Sequence, residues 1–404
     1  MRSQTVRKWS QPLGAACAAA LLIFSVAGYI QAETPKKTAK TSAPAAALNY
    51  EVWAADQGTN KIHIIAPKTG ESGTAFEERA VIDLGVHNID MPHMIDFTSD
   101  YTYAFVANFQ SGDVAVIRTG DRKVLDVIKT GHMTHMAAVL PDDSAAIVDV
   151  MHEEGALLEI VIDRKNERFS LGRKLVIAEA PLFQARAKEF SGSSPVCHDY
   201  TADGKYAYVT LGPALSNGGL LIFDVEAFQL TKVYPVSELS VNCGTMRSPD
   251  GTKMYLNGGS MDAGHWYVFN TRTHEPIPDK NGEVRRSSRG TDAHGVWPTP
   301  NGSELWMVNR ATSNAIVIDP RTDEIIAEIA HVGPSPDIMT ISPDNRYVFI
   351  TLRGPQPRSG PHAIAGTRPG ISIVDVATRE IVTILEPAKG VEESDFHGIG
   401  LVRR

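Results

Sequence analysis

Histidine returns at one position of a repeated sequence pattern, and this position is the strongest candidate for chemistry in the chain. In each copy a short β-rich segment runs into a turn with an acidic or amide residue, and the position lies seven residues before it, as His93 does before Asp100. The last copy, DFHGI at 395–399, is aligned instead by its match to DAHGV at 292–296. We call this the repeat position, and its occupants in chain order are His93, His135, Val196, Cys243, His294, Asp337 and His397.

These imidazoles predict a metal site. Histidine fills four of the seven copies, whereas an even spread of the chain's 13 histidines would place fewer than one there. Neutral imidazole binds copper, zinc, iron and nickel, and several histidines with little carboxylate favour copper or zinc over magnesium or calcium. His132 and His198 lie close in sequence to two of the copies and are further candidate ligands.

The two cysteines near the repeat position have two competing interpretations. Cys243 could be a soft ligand for copper. In an exported protein it could equally form a disulfide with Cys197. Strand alternation predicts that the Cys197 side chain points away from the channel while that of Cys243 points in, and a bulge at 196–198 could turn His198 towards the site.

Acid–base groups should come from the loops beside the repeat position. Polar residues of the hairpins on that side are Glu153, Glu154, Asp262, Arg310 and Arg353. The three carboxylates among them are candidate catalytic acids or bases. Two long connections, 179–194 and 354–370, could cover the site.

Short β-strands must position these residues. Segments 103–107, 206–210 and 347–351 are rich in Tyr, Val, Phe and Thr, and each follows an Asp-containing turn. A third and a fourth strand complete each unit, and units of this kind repeated every ~40–55 residues are typical of propeller blades.

Seven units predict an all-β, seven-bladed β-propeller over residues 49–404. The first blade is expected to take three strands from residues 50–85 and its innermost strand from 397–402, which closes the ring and removes exposed strand edges. In a propeller the innermost strands line a central channel, so the seven repeat positions should converge at its rim. Imidazoles that share an ion or a small cluster should then approach within about 4–8 Å of one another.

The turn-and-strand sequences ADGKYAYVT at 202–210 and SPDNRYV at 342–348 resemble the YVTN-type β-propeller repeats. The resemblance covers nearly everything after residue 49. It implies architecture and leaves the chemistry open, because one fold serves enzymes, haem binders and scaffolds alike.

The histidines are also similar to those of two propeller enzymes, nitrous oxide reductase and thiocyanate dehydrogenase, in which histidines from many blades hold copper at the channel. That resemblance implies a copper-dependent oxidoreductase acting on a small molecule. Departures from it are Val196, Cys243 and Asp337 at the repeat position and the lack of a second, cupredoxin domain, which argues against nitrous oxide reduction. The ligands it implies are His93, His135, His294 and His397, with His132 and His198 near them.

Two other functions remain open. The haem-binding propeller of cytochrome-type nitrite reductases is a second resemblance, since one channel-facing histidine there is an axial ligand. A Cys-x-x-Cys-His motif is absent from the sequence, so covalently attached haem is not expected and electrons would pass to a separate protein. The third reading is a binding or scaffold propeller without metal, whose histidines are spaced too widely to share an ion.

The N-terminal residues predict export. Arg2, Arg7 and Lys8 precede an apolar run at 13–30, and cleavage of a signal peptide near Ala32 would follow; an uncleaved membrane anchor is the alternative. Residues 33–48 have the composition of a disordered linker. We therefore expect a signal peptide at 1–32, a linker at 33–48, a periplasmic or otherwise exported body, and no membrane span after cleavage.

Charge argues against nucleic acid as a partner. The chain has 39 basic and 47 acidic residues, and without the three signal cations the balance is 36 to 47, or −11. Binding to phosphates needs clustered cations, and the body has no basic run. A small-molecule substrate and an external electron-transfer protein are the partners we expect.

Overall fold

The computed structural model describes residues 49–68, 75–152, 155–212, 218–242, 244–358 and 364–404. The predicted signal peptide at 1–32 and linker at 33–48, together with Glu153, Glu154 and Cys243, lie outside the described residues. In the part that is described, no helix combines the length and the apolar character needed to cross a membrane.

Seven antiparallel sheets form the seven predicted blades. Blade 1 contains β1 (Tyr50–Asp56), β2 (Lys61–Pro67), β3 (Phe76–Asp83) and β29 (Phe396–Arg403). Blade 2 contains β4 (Pro92–Phe97), β5 (Tyr103–Asn108), β6 (Asp113–Arg118) and β7 (Lys123–Lys129). Blade 3 contains β8 (Thr134–Val139), β9 (Ala145–Val150), β10 (Ala156–Asp163) and β11 (Arg168–Val176).

The remaining blades continue the same order. Blade 4 contains β12 (Pro195–Tyr200), β13 (Tyr206–Leu211), β14 (Leu220–Asp224) and β15 (Gln229–Tyr234). Blade 5 contains β16 (Thr245–Arg247), β17 (Lys253–Ser260), β18 (Ala263–Asn270), β19 (Glu275–Pro276) and β20 (Arg286–Ser287). Blade 6 contains β21 (Ala293–Pro298), β22 (Leu305–Asn309), β23 (Asn314–Asp319) and β24 (Glu324–Ile329), and blade 7 contains β25 (Pro336–Ile341), β26 (Tyr347–Leu352), β27 (Gly370–Asp375) and β28 (Ile381–Leu385).

The two ends of the propeller chain close the ring, as predicted. Strand β29 pairs antiparallel with β1 from Tyr50 opposite Arg403 to Asp56 opposite Phe396. Beyond the strand, the backbone N–H of Arg404 donates to the Asn49 carbonyl at 2.8 Å. The closing strand therefore pairs along β1, with one register shift between Ala54 and Asp56, and covers the edge that β1 would otherwise expose.

Apolar layers between neighbouring blades hold the propeller together. One layer packs Trp306 and Val308 of blade 6 against Val348 and Ile350 of blade 7, all fully buried. Fully burying such a side chain contributes about 1.5–3 kcal/mol relative to leaving it exposed. Each blade thus buries its faces against the next, and the inner strands are free to carry polar residues.

Among the described residues, helical structure is confined to short turns. These are the 3-10 turns Gly85–His87, Ile177–Glu179 and Ala187–Glu189 and the single α-helical turn α1 (Pro181–Gln184). Phe183 of α1 is buried with Leu221 and Phe223 in the core between blades 3 and 4. The predicted cover at 179–194 is therefore packed into the propeller at this turn.

A β-bulge marks the repeat position of the inner strands. The pairing of β4 with β5 shifts between Pro92 and Met94, so that His93 is the extra residue. Equivalent shifts flank the repeat position in β8, β12, β21 and β25, and the β1–β29 pairing shifts at the corresponding point. A bulge re-aims the extra side chain, which explains how one position delivers its side chains to the channel.

Candidate metal centre

The structure brings the four histidines of the repeat position together at the channel. Each is the second residue of its inner strand. The His93 ring stacks on that of His397 with centroids 3.7 Å apart, and the His135 ring lies 4.3 Å from that of His93. The His397 ring lies 6.0 Å from that of His294 and 6.3 Å from that of His135. We call these four side chains the histidine cluster.

Glycines let neighbouring inner strands approach closely enough to bring the four histidines together. An added Cβ on Gly398 would lie 2.3 Å from the carbonyl oxygen of His93, and one on Gly295 would lie 2.4 Å from that of Asp337. Each glycine follows a repeat-position residue and meets the repeat-position carbonyl of the next blade. Only a residue without Cβ permits such contact between backbones, so these glycines help to set the width of the ring.

Hydrogen bonds fix the proton of His93 on Nδ1. That atom lies 2.9 Å from Gln57 Oε1, and the Gln57 amide nitrogen donates to Asp395 Oδ2 at 2.6 Å. Because Gln57 Oε1 can only accept, His93 donates from Nδ1 and keeps its lone pair on Nε2. His397 follows the same rule, since its Nδ1 donates to the backbone carbonyl of His93 at 3.2 Å.

His135 directs its Nε2 towards Nε2 of His93. The Val196 backbone raises the pKa of His135 by accepting a hydrogen bond from its ring, and Nδ1 is the nitrogen beside Cys197, with Sγ 3.9 Å away. We propose that this Nδ1 carries the proton. Its Nε2 lies 3.0 Å from Nε2 of His93. Two nitrogen lone pairs repel at that distance unless they share a proton or a metal ion. With metal–nitrogen bonds of about 2.0 Å, a 3.0 Å separation corresponds to an angle of about 97° at the metal, which suits coordination.

Burial keeps these imidazoles neutral. Burial, reinforced by His397 and His135, holds the pKa of His93 well below its usual value. Burial together with His294 lowers the pKa of His135 to about 3, and burial holds that of His397 well below the usual value even though Asp337 opposes the shift. Neutral imidazole is the form that binds metal, so the cluster needs no deprotonation to act as a ligand set.

Asp337 sits beside the cluster as a charged carboxylate. Its Oδ1 lies 3.0 Å from His294 Nε2 and its Oδ2 lies 3.7 Å from His397 Nε2, and the three ligand atoms fall within 4.8 Å of one another. Burial raises the pKa of Asp337, but His397, His294 and two arginines outweigh burial and hold the pKa well below its usual value. This triad could hold an ion.

Two buried arginines already neutralise that carboxylate. Arg310 Nη1 donates to Asp337 Oδ1 at 3.1 Å, and Arg353 Nη1 donates to Oδ2 at 2.6 Å. Arg353 also forms a two-bond pair with Asp395, at 2.8 Å for both contacts, and Arg310 Nε donates to Asp292 at 2.7 Å. The result is a buried ion chain from Asp292 through Arg310, Asp337 and Arg353 to Asp395, which continues through Gln57 to His93.

An apolar wall faces the other side of the cluster. Met151, Val196 and Cys197 form a buried patch. Phe109 packs on it, 5.4 Å from the His93 ring and 6.1 Å from that of His135. Among the described residues that contact the cluster, the charged side chains therefore come from blades 6, 7 and 1 and the apolar ones from blades 2 to 4.

His198 lies apart from the cluster. Its Nδ1 lies 2.7 Å from Asp149 Oδ2 and its Nε2 lies 3.0 Å from the Tyr200 hydroxyl, which itself donates to the Ala138 carbonyl. Both nitrogens must then carry hydrogen. Burial alone would lower the pKa of His198, but Asp149 raises it above its usual value. The bulge at 196–198 is present, yet it turns His198 towards Asp149.

That bulge also corrects the prediction for Cys197. Strand alternation placed its side chain away from the channel, whereas its Sγ reaches to 3.9 Å from His135 Nδ1. The pairing of β12 with β13 shifts between Pro195 and His198, so strict alternation fails there. Burial raises the pKa of the Cys197 thiol far above its usual value, which makes a neutral thiol in the apolar wall.

The other predicted residues are spread around the rim. His132 is exposed, with its ring 5.6 Å from that of His152, and Asp262 is exposed at the β17–β18 hairpin. Neither contacts the histidine cluster through any bond found among the described residues. Sequence reasoning missed Gln57, Asp292 and Asp395. The last two had a visible signal, because DAH at 292–294 and DFH at 395–397 place an aspartate two residues before a cluster histidine.

Comparison with known proteins supports the fold of this chain and nothing further. No protein-family model and no curated protein sequence matches the chain. A solved structure titled Kuenenia stuttgartiensis Hydrazine Synthase is similar to it with a TM-score of 0.53 and 13% sequence identity, over 83% of this chain and 95% of that one. At that identity the likeness supports the propeller architecture and says nothing of activity.

Proposed function

We propose that the histidine cluster is a metal-binding centre, with copper the favoured metal, that performs redox chemistry on a small molecule in an exported protein. The observation that carries the proposal is the 3.0 Å contact between Nε2 of His93 and Nε2 of His135, both assigned as lone-pair atoms. A shared metal ion removes their repulsion.

The surroundings of each nitrogen support the same ligands. Metal-binding histidines usually donate the N–H of their other nitrogen to a carbonyl or carboxylate, which fixes the tautomer. In His93, His135 and His397 the Nδ1 donors meet the side-chain oxygen of Gln57, the Val196 backbone and the His93 carbonyl. The Nε2 atoms of His93, His135 and His397 are therefore our proposed ligands.

In this proposal His294 and Asp337 are not metal ligands and instead support the three ligand histidines. Asp337 is held by Arg310 and Arg353, so its charge is already balanced and a cation gains less from it. We propose that Asp337 accepts a hydrogen bond from His294 and orients the charged side of the rim. The resulting site presents nitrogen ligands, which suits copper or zinc, and an oxidising compartment favours copper.

Bound copper would supply one-electron transfer, and the chain would supply binding and exclusion of water. The wall of Phe109, Met151, Val196 and Cys197 borders the cluster on one side. It suits a small substrate with little charge and limits access of water from that direction. Electrons would come from or pass to an external protein.

The two alternatives fit the contacts less well. A haem needs one histidine nitrogen with open space for the tetrapyrrole, whereas Nε2 of His93 is covered by His135. A metal-free binding propeller was expected to keep its histidines apart, and the stacking of His93 on His397 at 3.7 Å argues against that reading.

Elemental analysis of protein purified from the exported fraction tests the proposal, together with its absorption spectrum. His135→Ala should lose most of the copper, since it removes one proposed ligand. His274→Ala is the matched control, because His274 binds Tyr208 at a turn outside the cluster. A haem absorption band, or equal copper in all three proteins, would rule the proposal out.

A further inference from the structure

A polar cavity lies in blade 1, apart from the histidine cluster. It has a volume of about 480 Å³ and opens between strands β2 and β3 and the segment after β28. Pro387, Ala388 and Val391 form its apolar side. The polar residues that line it are Thr59, Lys61, His63, Glu78 and Asp83.

His63 enters this cavity with one nitrogen held and one unpartnered. The side chain is only 5% exposed. Its Nδ1 lies 2.5 Å from Glu78 Oε1, which as a carboxylate oxygen accepts the proton. Its Nε2 is buried and has no hydrogen-bond partner among the described residues. The carboxylate oxygen Asp56 Oδ2 is 3.8 Å from this Nε2, which is too far for a hydrogen bond.

Neither protonation state of His63 satisfies that nitrogen. If Nε2 carries a proton, a buried donor lacks an acceptor. If it does not, its lone pair faces a carboxylate. Asp56 is itself fully buried, and its Oδ2 accepts a hydrogen bond from Ser394 Oγ at 2.9 Å, which leaves that oxygen a second lone pair.

A metal ion between the two atoms resolves both problems. Bonds of about 2.0 Å to nitrogen and 2.0–2.2 Å to oxygen separate the two ligand atoms by roughly 3.3 Å at a tetrahedral metal. The 3.8 Å gap would thus close by about half an ångström. Thr59 lines the same cavity, and its Oγ1 is a second buried atom without a hydrogen-bond partner among the described residues.

Charge favours a cation at this place. The cavity lining carries one cation, Lys61, against the carboxylates of Glu78 and Asp83, and Asp56 lies 3.8 Å from His63, so the surroundings are negative. A histidine that donates Nδ1–H to a carboxylate and offers Nε2 is the usual arrangement of a metal-bound imidazole.

We propose that His63 Nε2 and Asp56 Oδ2 bind a divalent transition-metal ion of the zinc type, with Glu78 orienting the imidazole. Two protein ligands leave coordination positions open to water or to Thr59 on the cavity side. The site is independent of the histidine cluster and of any function proposed for it.

Titration of Zn²⁺ against a chromophoric chelator tests this site. His63→Gln, which can still hydrogen-bond Glu78 but lacks imidazole, should bind about one equivalent less Zn²⁺ than wild type. His274→Gln is the control and should bind as wild type does. The same loss should appear when His63→Gln is added to His135→Ala, because the two sites are separate. Equal stoichiometry in wild type and His63→Gln would overturn the proposal.

If His63→Gln does not fold, crystals of the wild-type protein soaked in Zn²⁺ provide a second test. An anomalous peak within about 2.2 Å of His63 Nε2 and of Asp56 Oδ2 is expected. Zinc density only elsewhere, or none, would overturn the proposal.

Discussion

Replacing Asp337 with asparagine tests the buried ion chain that supports the histidine cluster. Asparagine keeps the shape of the side chain but removes the charge that opposes Arg310 and Arg353, both almost completely buried. Removing one partner of a buried ion pair costs about 3–5 kcal/mol. Because Asp292 and Asp395 continue to pair with these arginines, we expect the lower end, about 3 kcal/mol.

Urea unfolding of Asp337→Asn, followed by tryptophan fluorescence, measures this loss in the free energy of unfolding. Asp262→Asn is the control, since that carboxylate is exposed on a hairpin and its replacement should change stability by no more than about 0.5 kcal/mol. If Asp337→Asn lowers the free energy of unfolding by less than about 1 kcal/mol, with an unchanged denaturant slope, the buried ion chain does not depend on the charge of Asp337.

Three further predictions concern the blades. Deleting residues 397–404 should cause aggregation, because β29 closes blade 1; a truncated protein that stays monomeric and melts normally would contradict the closure. Gly398→Ala should destabilise by about 1–3 kcal/mol in urea unfolding, since its Cβ would lie 2.3 Å from a carbonyl, whereas Gly120→Ala, with no neighbour within 4 Å, should not; equal stability would argue against close packing. Because the folded-state pKa of His198 is raised above the unfolded value of about 6.5, its pair with Asp149 stabilises fully below about pH 6.5 and is lost as pH rises through the folded pKa. The stability difference between wild type and His198→Gln should shrink over that rise, and a difference that grows with pH would show the sign to be wrong.

The propeller and the convergence of the repeat position could be predicted because both follow from the regular spacing of the blade repeats in the sequence. One blade sequence repeats, and the same bulge recurs at His93, His135 and His294. A position that is equivalent in every blade must approach the common axis. The pairing of β29 with β1 also followed from counting strands at the two ends of the chain.

The neighbours of the cluster could not be predicted in the same way, because they depend on contacts between blades. Arg310 and Arg353 were visible as hairpin residues, but their shared partner Asp337 belongs to only one of the two blades. His198 lies two residues after the repeat position of its blade, yet its Nδ1 is 2.7 Å from Asp149 on the neighbouring blade and does not reach the cluster. Strand alternation gives the direction of a side chain only where no bulge intervenes, and the partner of that side chain depends on side-chain lengths across the interface between blades.

The most direct test of the central claim is X-ray absorption at the copper edge on protein loaded with one equivalent of Cu²⁺. We predict about three imidazole nitrogens at about 2.0 Å, falling by one in His93→Ala and unchanged in His274→Ala. A first shell of water oxygens alone, or a shell identical in all three proteins, would contradict the assignment of the histidine cluster as a metal centre.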